Sequence, residues 1–381
     1  MSVQALFIDD DPRVLAEFEQ LVSSGSLGID ATIASSPEEG LNALRSGTYE
    51  VIVAGAGSPT DKTVGVLREA ASNHPAVARL LVTSDRNASR SGLAEQYLWR
   101  PFDADKLRIA VLAATHLRGR VTPERLAALV NGSTKIPTLP DIYVKIQEEL
   151  RSSDPSMAKV GLLVKNDPAI SVKVLQTVNS AMFGLRNEVG DVAQATALLG
   201  LNTITSLVLA VGVFQQASGL DRKLIEELWQ ESLRVSAIAR RIASAEGLDR
   251  RSTEESQLAG LLHDIGELVL FQNWRNDYLE ISTTNRLDDE RKRFGATHAD
   301  LGGYLCALWD LPSEVIRAVA NHHIPSAVPA STVTATTVVH VARALVDAGG
   351  DHENAAFDTA HLEQIDAYGR CEVWAKAAQE A

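Results

Sequence analysis

An apolar run in the second half of the chain contains two adjacent ionisable residues: Leu261-Leu262-His263-Asp264-Ile265-Gly266-Glu267-Leu268-Val269-Leu270. The run has the composition of a buried segment, and an aspartate inside a protein core needs a metal, a cation or several hydrogen bonds as its partner. Histidine and aspartate are also side chains that bind catalytic metals in hydrolases. The partner of Asp264 therefore decides whether this run is a catalytic site or a structural element.

The composition is that of a multidomain globular protein with an excess of acidic residues. The 381 residues are enough for two or three domains, and 45% of them are hydrophobic. Lys and Arg number 36 against 49 Asp and Glu, a formal net charge of -13, which disfavours broad binding to nucleic acid or to anionic membrane. The 2 cysteines indicate a reducing compartment. The N-terminus has no signal-peptide pattern, and the apolar stretch 204–214 is too short for a bilayer, so we expect a cytoplasmic protein.

Residues 1–118 alternate short β-rich runs with amphipathic helical stretches. Pro12 and Pro37 are placed at first helical turns, with Ser36 as an N-cap. Five runs are mostly apolar, as strands covered on both faces are: Ala5–Ile8, Ala31–Ala34, Val51–Ala54, Arg79–Val82 and Tyr97–Trp99. This pattern predicts an α/β domain with a doubly wound parallel sheet of the flavodoxin type.

The functional crevice of such a sheet lies at the carboxyl ends of its strands. At those positions the sequence has Asp9-Asp10-Asp11, Gly55, Thr83-Ser84 and Arg100-Pro101. Three consecutive carboxylates repel one another unless a cation or a helix N-terminus neutralises them. A Mg²⁺ site and a capping role for the next helix are therefore equal expectations.

These residues resemble the pocket of a two-component receiver domain. In that family an acid pair binds Mg²⁺, and Asp9 and Asp10 match it, while Thr83 matches the hydroxyl that follows the fourth strand. The aspartate that accepts phosphate should end the third strand, but Gly55 is there, and Arg100 stands where the family has lysine. Because glycine cannot be a nucleophile, the resemblance implies a pseudo-receiver that does not accept phosphate on aspartate.

A pseudo-receiver is expected to act through protein contacts or dimerisation. Two other aspartates, Asp11 and Asp61, are alternative acceptors, although neither ends the third strand.

From residue 134 onward the apolar spacing is helical throughout, after a helical connector at 119–133 that ends in a glycine turn. Asp154-Pro155 and Asp167-Pro168 have the form of helix starts, with Asp as the cap and Pro in the first turn. We therefore expect residues 134–381 to form an all-helical domain.

Several stretches of this half resemble the HDOD domain: Ile136–Pro140, Asp167–Gly184, Gln194–Leu201, Trp309–Pro312 and the His322-His323 pair. HDOD domains are related to the HD and HD-GYP phosphohydrolases and occur in bacterial signalling chains, often behind a receiver. The resemblance implies an HD-like helical fold and a bacterial signalling role.

The same resemblance relates the histidines to a metal-dependent hydrolase site. The metal-ligand candidates are Glu231, His263, Asp264, His298, His322 and His323. Glu231 stands where the HD family has a histidine, and Arg343 stands where it has a closing aspartate. Because arginine stays protonated, Arg343 beside Asp264 would exclude a divalent metal and replace it, leaving no catalytic residues. In the alternative, the candidates still bind a metal, Arg343 binds phosphate, and the protein is a phosphohydrolase that acts on a cyclic dinucleotide such as cyclic di-GMP.

Together these features predict a cytoplasmic bacterial signalling regulator that works by protein–protein contact. No cofactor is expected, apart from the Mg²⁺ considered at Asp9 and Asp10 and the divalent metal considered at His263 and Asp264. Enzymes of cyclic di-GMP metabolism and histidine kinases are candidate partners, and a homodimer is another form that the contact could take. Nucleic acid and membrane are not expected as partners.

Overall fold

The computed structural model divides the chain into two compact units. One contains residues 1–134 and 281–316, and the other contains residues 135–280 and 317–381. The predicted domain limits at 118 and 133 stay predictions, because Leu129 is the one described residue of the connector at 119–133. The structure describes residues 3–23, 29–56, 62–74, 77–84, 94, 96–100, 102, 107, 110–111, 114, 129, 137–150, 152, 156–180, 188–217, 222–282, 285–309, 311–328 and 330–379.

The N-terminal residues form a five-stranded sheet with the order β2-β1-β3-β4-β5. Its strands are β1 (Val3–Ile8), β2 (Ile29–Ala34), β3 (Val51–Gly55), β4 (Ala78–Thr83) and β5 (Gln96–Trp99). Each pairing between neighbouring strands is parallel. This is the flavodoxin-like order, so the five predicted strands and the doubly wound fold are confirmed.

Helices follow the first three strands: α1 (Pro12–Ser23), α2 (Pro37–Ser46) and α3 (Lys62–Asn73). Pro12 and Pro37 are the first residues of their helices, where no backbone N–H is needed. The Ser36 hydroxyl accepts a hydrogen bond from the Glu39 amide at 3.2 Å, which confirms the predicted N-cap.

The core of the sheet is aromatic on one side. Phe7 of β1 packs against Phe18 of α1 with their ring centroids 5.0 Å apart. Farther along the chain, buried helical residues recur at the spacing of one helix face and join the same cluster: Leu107, Ala110, Val111 and Ala114. Apolar side chains therefore cover the sheet, as the continuous hydrophobic strands predict.

The rest of the described chain is helical and contains no strand among its described residues, as predicted. Its helices are α4 (Asp141–Leu150), α5 (Met157–Lys165), α6 (Pro168–Val178), α7 (Val192–Leu199), α8 (Leu201–Gln215), α9 (Arg222–Ala245), α10 (Arg250–Leu262), α11 (Ile265–Leu279), α12 (Arg286–Phe294), α13 (His298–Leu308), α14 (Ser313–Asn321), α15 (Ala335–Asp347), α16 (Thr359–Gln364) and α17 (Cys371–Gln379).

The predicted helix starts have different outcomes. Asp167 caps α6 by accepting a hydrogen bond from the Ile170 amide at 3.1 Å, and Pro168 is the first helical residue, so this start is confirmed. Asp154-Pro155 lies outside the described residues, and the next helix, α5, is capped by Ser156.

Residues 137–140, called the strap below, lie against α8, most of which is buried. The side-chain amide of Gln216 makes two hydrogen bonds with the backbone of Thr138. Its Nε2 donates to the Thr138 carbonyl at 2.7 Å, and its Oε1 accepts from the Thr138 amide at 2.9 Å. A Cβ at Gly212 would lie 2.3 Å from Cγ of Pro140. The close approach of the strap to α8 therefore requires glycine at position 212.

Helix α17 is held against the end of α9. The indole nitrogen of Trp374, a fully buried side chain, donates to Oε1 of Glu246 at 2.7 Å, and Arg370 also bonds to Glu246. Residues 128 positions apart are thereby joined.

None of the described helices combines the length and the apolar character needed to cross a bilayer.

Candidate functional site

Asp264 lies at the junction of two helices in the second unit. Helix α10 ends at Leu262 and α11 begins at Ile265. Although Asp264 precedes α11, its carboxylate makes no capping bond to that helix, so it faces side chains from other elements. Asp264 is 5% exposed and His263 is 0% exposed, and the predicted burial of this run is confirmed.

His263 presents one ring nitrogen to the Asp264 carboxylate. Its Nδ1 lies 2.8 Å from the Gly260 carbonyl, and its Nε2 lies 3.1 Å from Oδ2 of Asp264. Because a carbonyl only accepts, Nδ1 carries a proton, and Nε2 is the ring nitrogen that faces the carboxylate. At Gly260 an added Cβ would lie 3.0 Å from Cα of Ser236, so glycine allows α10 to approach α9 this closely.

His322 repeats this arrangement from the end of α14. Its Nδ1 lies 2.8 Å from the Val319 carbonyl and its Nε2 lies 3.4 Å from Oδ1 of Asp264. The His263 and His322 rings meet edge to face with centroids 5.1 Å apart. Histidines that bind metals commonly donate their second ring N–H to a carbonyl in this way. A buried carboxylate between two imidazole rings needs positive charge close to it.

A metal ion is one candidate for that positive charge. Ligand atoms of Asp264, His322 and His323 all lie within 4.8 Å of one another, and these side chains are chemically suited to a divalent cation. The His/Asp cluster could therefore hold a metal.

Arg343 of α15 is the other candidate. Its Nε lies 3.9 Å from Oδ2 of Asp264, and its Nη1 bonds to Glu231 of α9 and to Oδ1 of Asp347 at 2.5 Å. One fixed guanidinium thus approaches three carboxylates. The structure brings together Glu231, His263, Asp264, His322 and Arg343.

Burial and charge act in opposite directions on Arg343. Burial lowers its pKa, but the Asp264, Glu231 and Asp347 carboxylates raise it by more, so the pKa of Arg343 is raised overall. Burial also raises the pKa of Asp347, and Arg343 opposes that shift. The guanidinium therefore stays charged under ordinary conditions and supplies a permanent positive charge beside Asp264.

His340 supports the turn that carries His322, a role not inferred from the sequence. Its Nδ1 lies 2.7 Å from the His322 carbonyl, and its Nε2 accepts a hydrogen bond from the Asp358 amide at 2.8 Å. Since Nε2 accepts, the ring is neutral with its proton on Nδ1. Burial lowers the pKa of His340 in agreement with that state.

His298 is described in the first unit, at the start of α13. It is fully buried with Glu290 of α12, and its Nδ1 lies 2.8 Å from both carboxylate oxygens of Glu290. This partner was not inferred from the sequence, because no motif marks a glutamate eight residues upstream. The proposed role of His298 as a metal ligand stays a prediction.

The receiver-like pocket is filled by its own side chains. A Cβ at Gly55 would lie 1.7 Å from Oδ2 of Asp9, so the Asp9 carboxylate occupies the space beside the end of β3. The Asp11 amide donates to Oδ1 of Asp9 at 2.8 Å. Arg100 places Nη2 3.9 Å from Oδ2 of Asp9 and Nη1 3.2 Å from Oε2 of Glu17.

Positive charge is thus already supplied to Asp9. Burial raises the pKa of Asp9, while the Asp11 amide and Arg100 oppose the shift. Asp10 is exposed, and Thr83 is buried. The alternative acceptor Asp61 lies outside the described residues.

A model of the HDOD domain family matches residues 136–325. Residues 136–325 form an HDOD domain. The match contains the junction of α10 and α11 with Asp264 and extends through His322-His323, while Arg343 lies beyond it. The chain thus combines an HDOD domain with a receiver-like α/β sheet.

Solved structures share the fold of the HDOD part at low sequence identity. An HDOD domain protein of unknown function from Geobacter sulfurreducens is 22% identical, with a TM-score of 0.51 over 68% of this chain and 92% of that one. A protein from Shewanella amazonensis described as a candidate phosphohydrolase is 23% identical, with a TM-score of 0.52 over 67% of this chain and 94% of that one.

An uncharacterized protein of Treponema pallidum is 27% identical over 210 residues. The alignment covers 53% of this chain and 40% of that protein.

Proposed function

We propose that this protein is a cytoplasmic bacterial signalling regulator that acts by binding other proteins, with an HDOD domain that does not catalyse hydrolysis. The observation that carries the proposal is the position of Arg343 among Asp264, Glu231 and Asp347. A guanidinium at this position opposes a divalent cation by charge repulsion, and it already neutralises part of the negative charge that would attract one.

The receiver-like domain supports the same proposal from independent residues. Gly55 provides no acceptor, and the Asp9 carboxylate occupies the neighbouring space with Arg100 close by. Arg100 takes the electrostatic place of Mg²⁺ at Asp9, so neither metal nor phosphate is required to hold this pocket. On this proposal both domains keep their folds but lack the side chains needed for hydrolysis or for phosphorylation.

Metal content and phosphorylation are the first tests of this proposal. Protein purified without chelator should contain well below one equivalent of Mn, Fe or Zn by inductively coupled plasma mass spectrometry. Acetyl phosphate should add no acid-labile 80 Da mass to the N-terminal domain. Stoichiometric metal would contradict the non-catalytic HDOD domain, and a stable phosphoryl adduct would contradict the pseudo-receiver.

The binding role is tested with the full chain and a variant lacking residues 1–118. Crosslinking and affinity capture from the native bacterium should recover a signalling protein, such as a cyclic di-GMP enzyme or a histidine kinase, that depends on one of the two domains. Sedimentation of the purified protein tests the homodimer. A monomer that captures no protein with either variant would contradict the proposal.

The second candidate is a metal-dependent phosphohydrolase. The observation in its favour is the His/Asp cluster, in which Asp264, His322 and His323 converge. Here Arg343 would bind a substrate phosphate. Hydrolysis of cyclic di-GMP that depends on added Mn²⁺ and disappears in Asp264→Ala would support this function over the first.

A further inference from the structure

A cavity of about 180 Å³ lies in the second unit and shares no residue with the Asp264 cluster. It opens between α6, α8 and α9. Its lining comprises Lys173, Phe214, Gln215, Ile225, Glu226 and Trp229, together with Val211. An apolar cavity of roughly 150 Å³ is large enough for benzene, so this one can hold a single six-membered ring with a small substituent.

The floor of the cavity is aromatic. Phe214 and Trp229 meet edge to face with their ring centroids 5.0 Å apart, and they are 8% and 3% exposed. A third ring placed against them would gain the offset or edge-to-face contacts that aromatic groups prefer. The lining therefore favours an aromatic ligand over a flexible polar one.

Lys173 and Glu226 are the charged side chains that line the cavity, and they determine which charge a bound ligand can carry. The Lys173 ammonium lies 5.8 Å from the centroid of the Trp229 ring and 3.7 Å from Oε2 of Glu226. The two charged side chains are 34% and 53% exposed, and ion pairs with this exposure contribute little. A ligand carboxylate can therefore take the place of Glu226 on Lys173, since Glu226 is already largely hydrated.

We propose that this cavity binds a small monocyclic aromatic carboxylate, with the ring against Phe214 and Trp229 and the carboxylate on Lys173. Such a ligand would bridge α6 and α9 and give the regulator a chemical input. This goes beyond the proposed function and does not depend on whether the Asp264 cluster binds metal.

The test is calorimetric titration of the full-length protein with benzoate and phenylacetate. A ligand of this size should bind with a Kd on the order of 1 mM. Benzylamine, which has a similar ring and the opposite charge, should bind more weakly, because Lys173 repels it and the attracting carboxylate of Glu226 is the more hydrated of the two charged groups.

Three variants separate the site from general charge effects. Lys173→Gln should weaken benzoate binding about fivefold or more, whereas Glu226→Gln should strengthen it by removing the competing carboxylate. Lys223→Gln is the matched control: it removes an equal charge from α9 at a side chain that is 84% exposed and paired with Glu227, and the Kd should not change.

The proposal would be overturned by no saturable binding of either acid up to about 10 mM, roughly ten times the expected Kd. Equal binding of benzylamine, or an equal loss of binding in Lys173→Gln and Lys223→Gln, would overturn it as well. Binding of a phenylalanine-containing peptide without binding of the free acids would instead identify the cavity as a protein-docking pocket and would also overturn it.

Discussion

Replacing Arg343 with methionine tests the central ionic contact of the HDOD domain. Methionine has a similar length, carries no charge and is a good helix former, so the change removes the guanidinium while keeping α15 helical. The substitution leaves Asp264, which is 5% exposed, beside the rings of His263 and His322 without the Arg343 guanidinium. A buried charge that loses its partner is the main expected source of destabilisation.

The size of the expected loss in the free energy of unfolding follows from how exposed each carboxylate is. Loss of a buried partner costs about 3–5 kcal/mol, and the 3.9 Å separation from Asp264 favours the lower end. The side chains of Glu231 and Asp347 are 27% and 55% exposed, so their pairs add at most about 1 kcal/mol each. We expect a total of about 3–5 kcal/mol, which is a shift of about 1–2 M in the urea midpoint for a domain of this size.

The assay is urea unfolding followed by far-ultraviolet circular dichroism in EDTA, repeated with Mn²⁺. In Arg343→Met the vacated position becomes available to a divalent cation, and ligand present at about 100 times its Kd would restore about 2.7 kcal/mol. Wild type should not respond, because Arg343 repels the ion. Lys223→Met, which breaks a pair with Glu227 whose two side chains are 84% and 61% exposed, is the control and should change stability by less than about 0.5 kcal/mol.

Two results would refute this reasoning. A loss below about 1 kcal/mol in Arg343→Met would mean that Asp264 does not depend on the guanidinium. Stabilisation of wild type by Mn²⁺ to the same extent as the variant would mean that arginine and metal bind together, and the phosphohydrolase would become the preferred function.

Three further predictions address the receiver-like pocket, the HDOD core and the strap at 137–140. Gly55→Ala should lower the free energy of unfolding by about 1–3 kcal/mol, because its Cβ overlaps the Asp9 carboxylate. The loss should be smaller in a chain that also carries Asp9→Ala, and losses from the two substitutions that simply add would contradict the overlap. Burial lowers the pKa of His340 in the folded protein below its ordinary value of 6.5. As the pH drops below about 6.5, the unfolded chain therefore binds a proton at this residue more readily than the folded protein does, and stability falls. The urea midpoint of His340→Gln should depend less on pH than that of wild type, and an unchanged dependence would mean that other groups cause it. Gly212→Val should displace the strap and speed amide exchange at Thr138 and in the N-terminal turn of α4; unchanged exchange would contradict the close contact with Pro140.

Local patterns in the sequence were sufficient to predict much of the fold. The five strands follow from short apolar runs, and the caps at Ser36 and Asp167 follow from residues whose side chains bond three positions ahead. The cap of α5 at Ser156 was not predicted, because the neighbouring Asp154-Pro155, which lies outside the described residues, has the stronger pattern in the sequence.

The candidate site was only partly predictable because its contacts join distant positions. Arg343 and Glu231 are 112 residues apart, and only the family resemblance placed them together. The bonds of His340 to His322 and Asp358 each span 18 residues between different elements. Neither bond has a local sequence pattern, since each depends on how the helices pack.

The contact between Trp374 and Glu246 has a consequence for synthesis of the protein. At translation rates of about 5–20 residues per second, the 128 residues that separate the two side chains take on the order of 10 s to make. During that interval the nascent helices α9 and α10 expose apolar surface that α15 later covers, α17 has not yet packed on α9, and Asp264 lacks its contact with Arg343. The five strands of the N-terminal sheet are synthesised before these helices. Ribosome-bound chains should therefore pass through a stage in which the sheet is folded and the exposed apolar surface of the helical part binds chaperones.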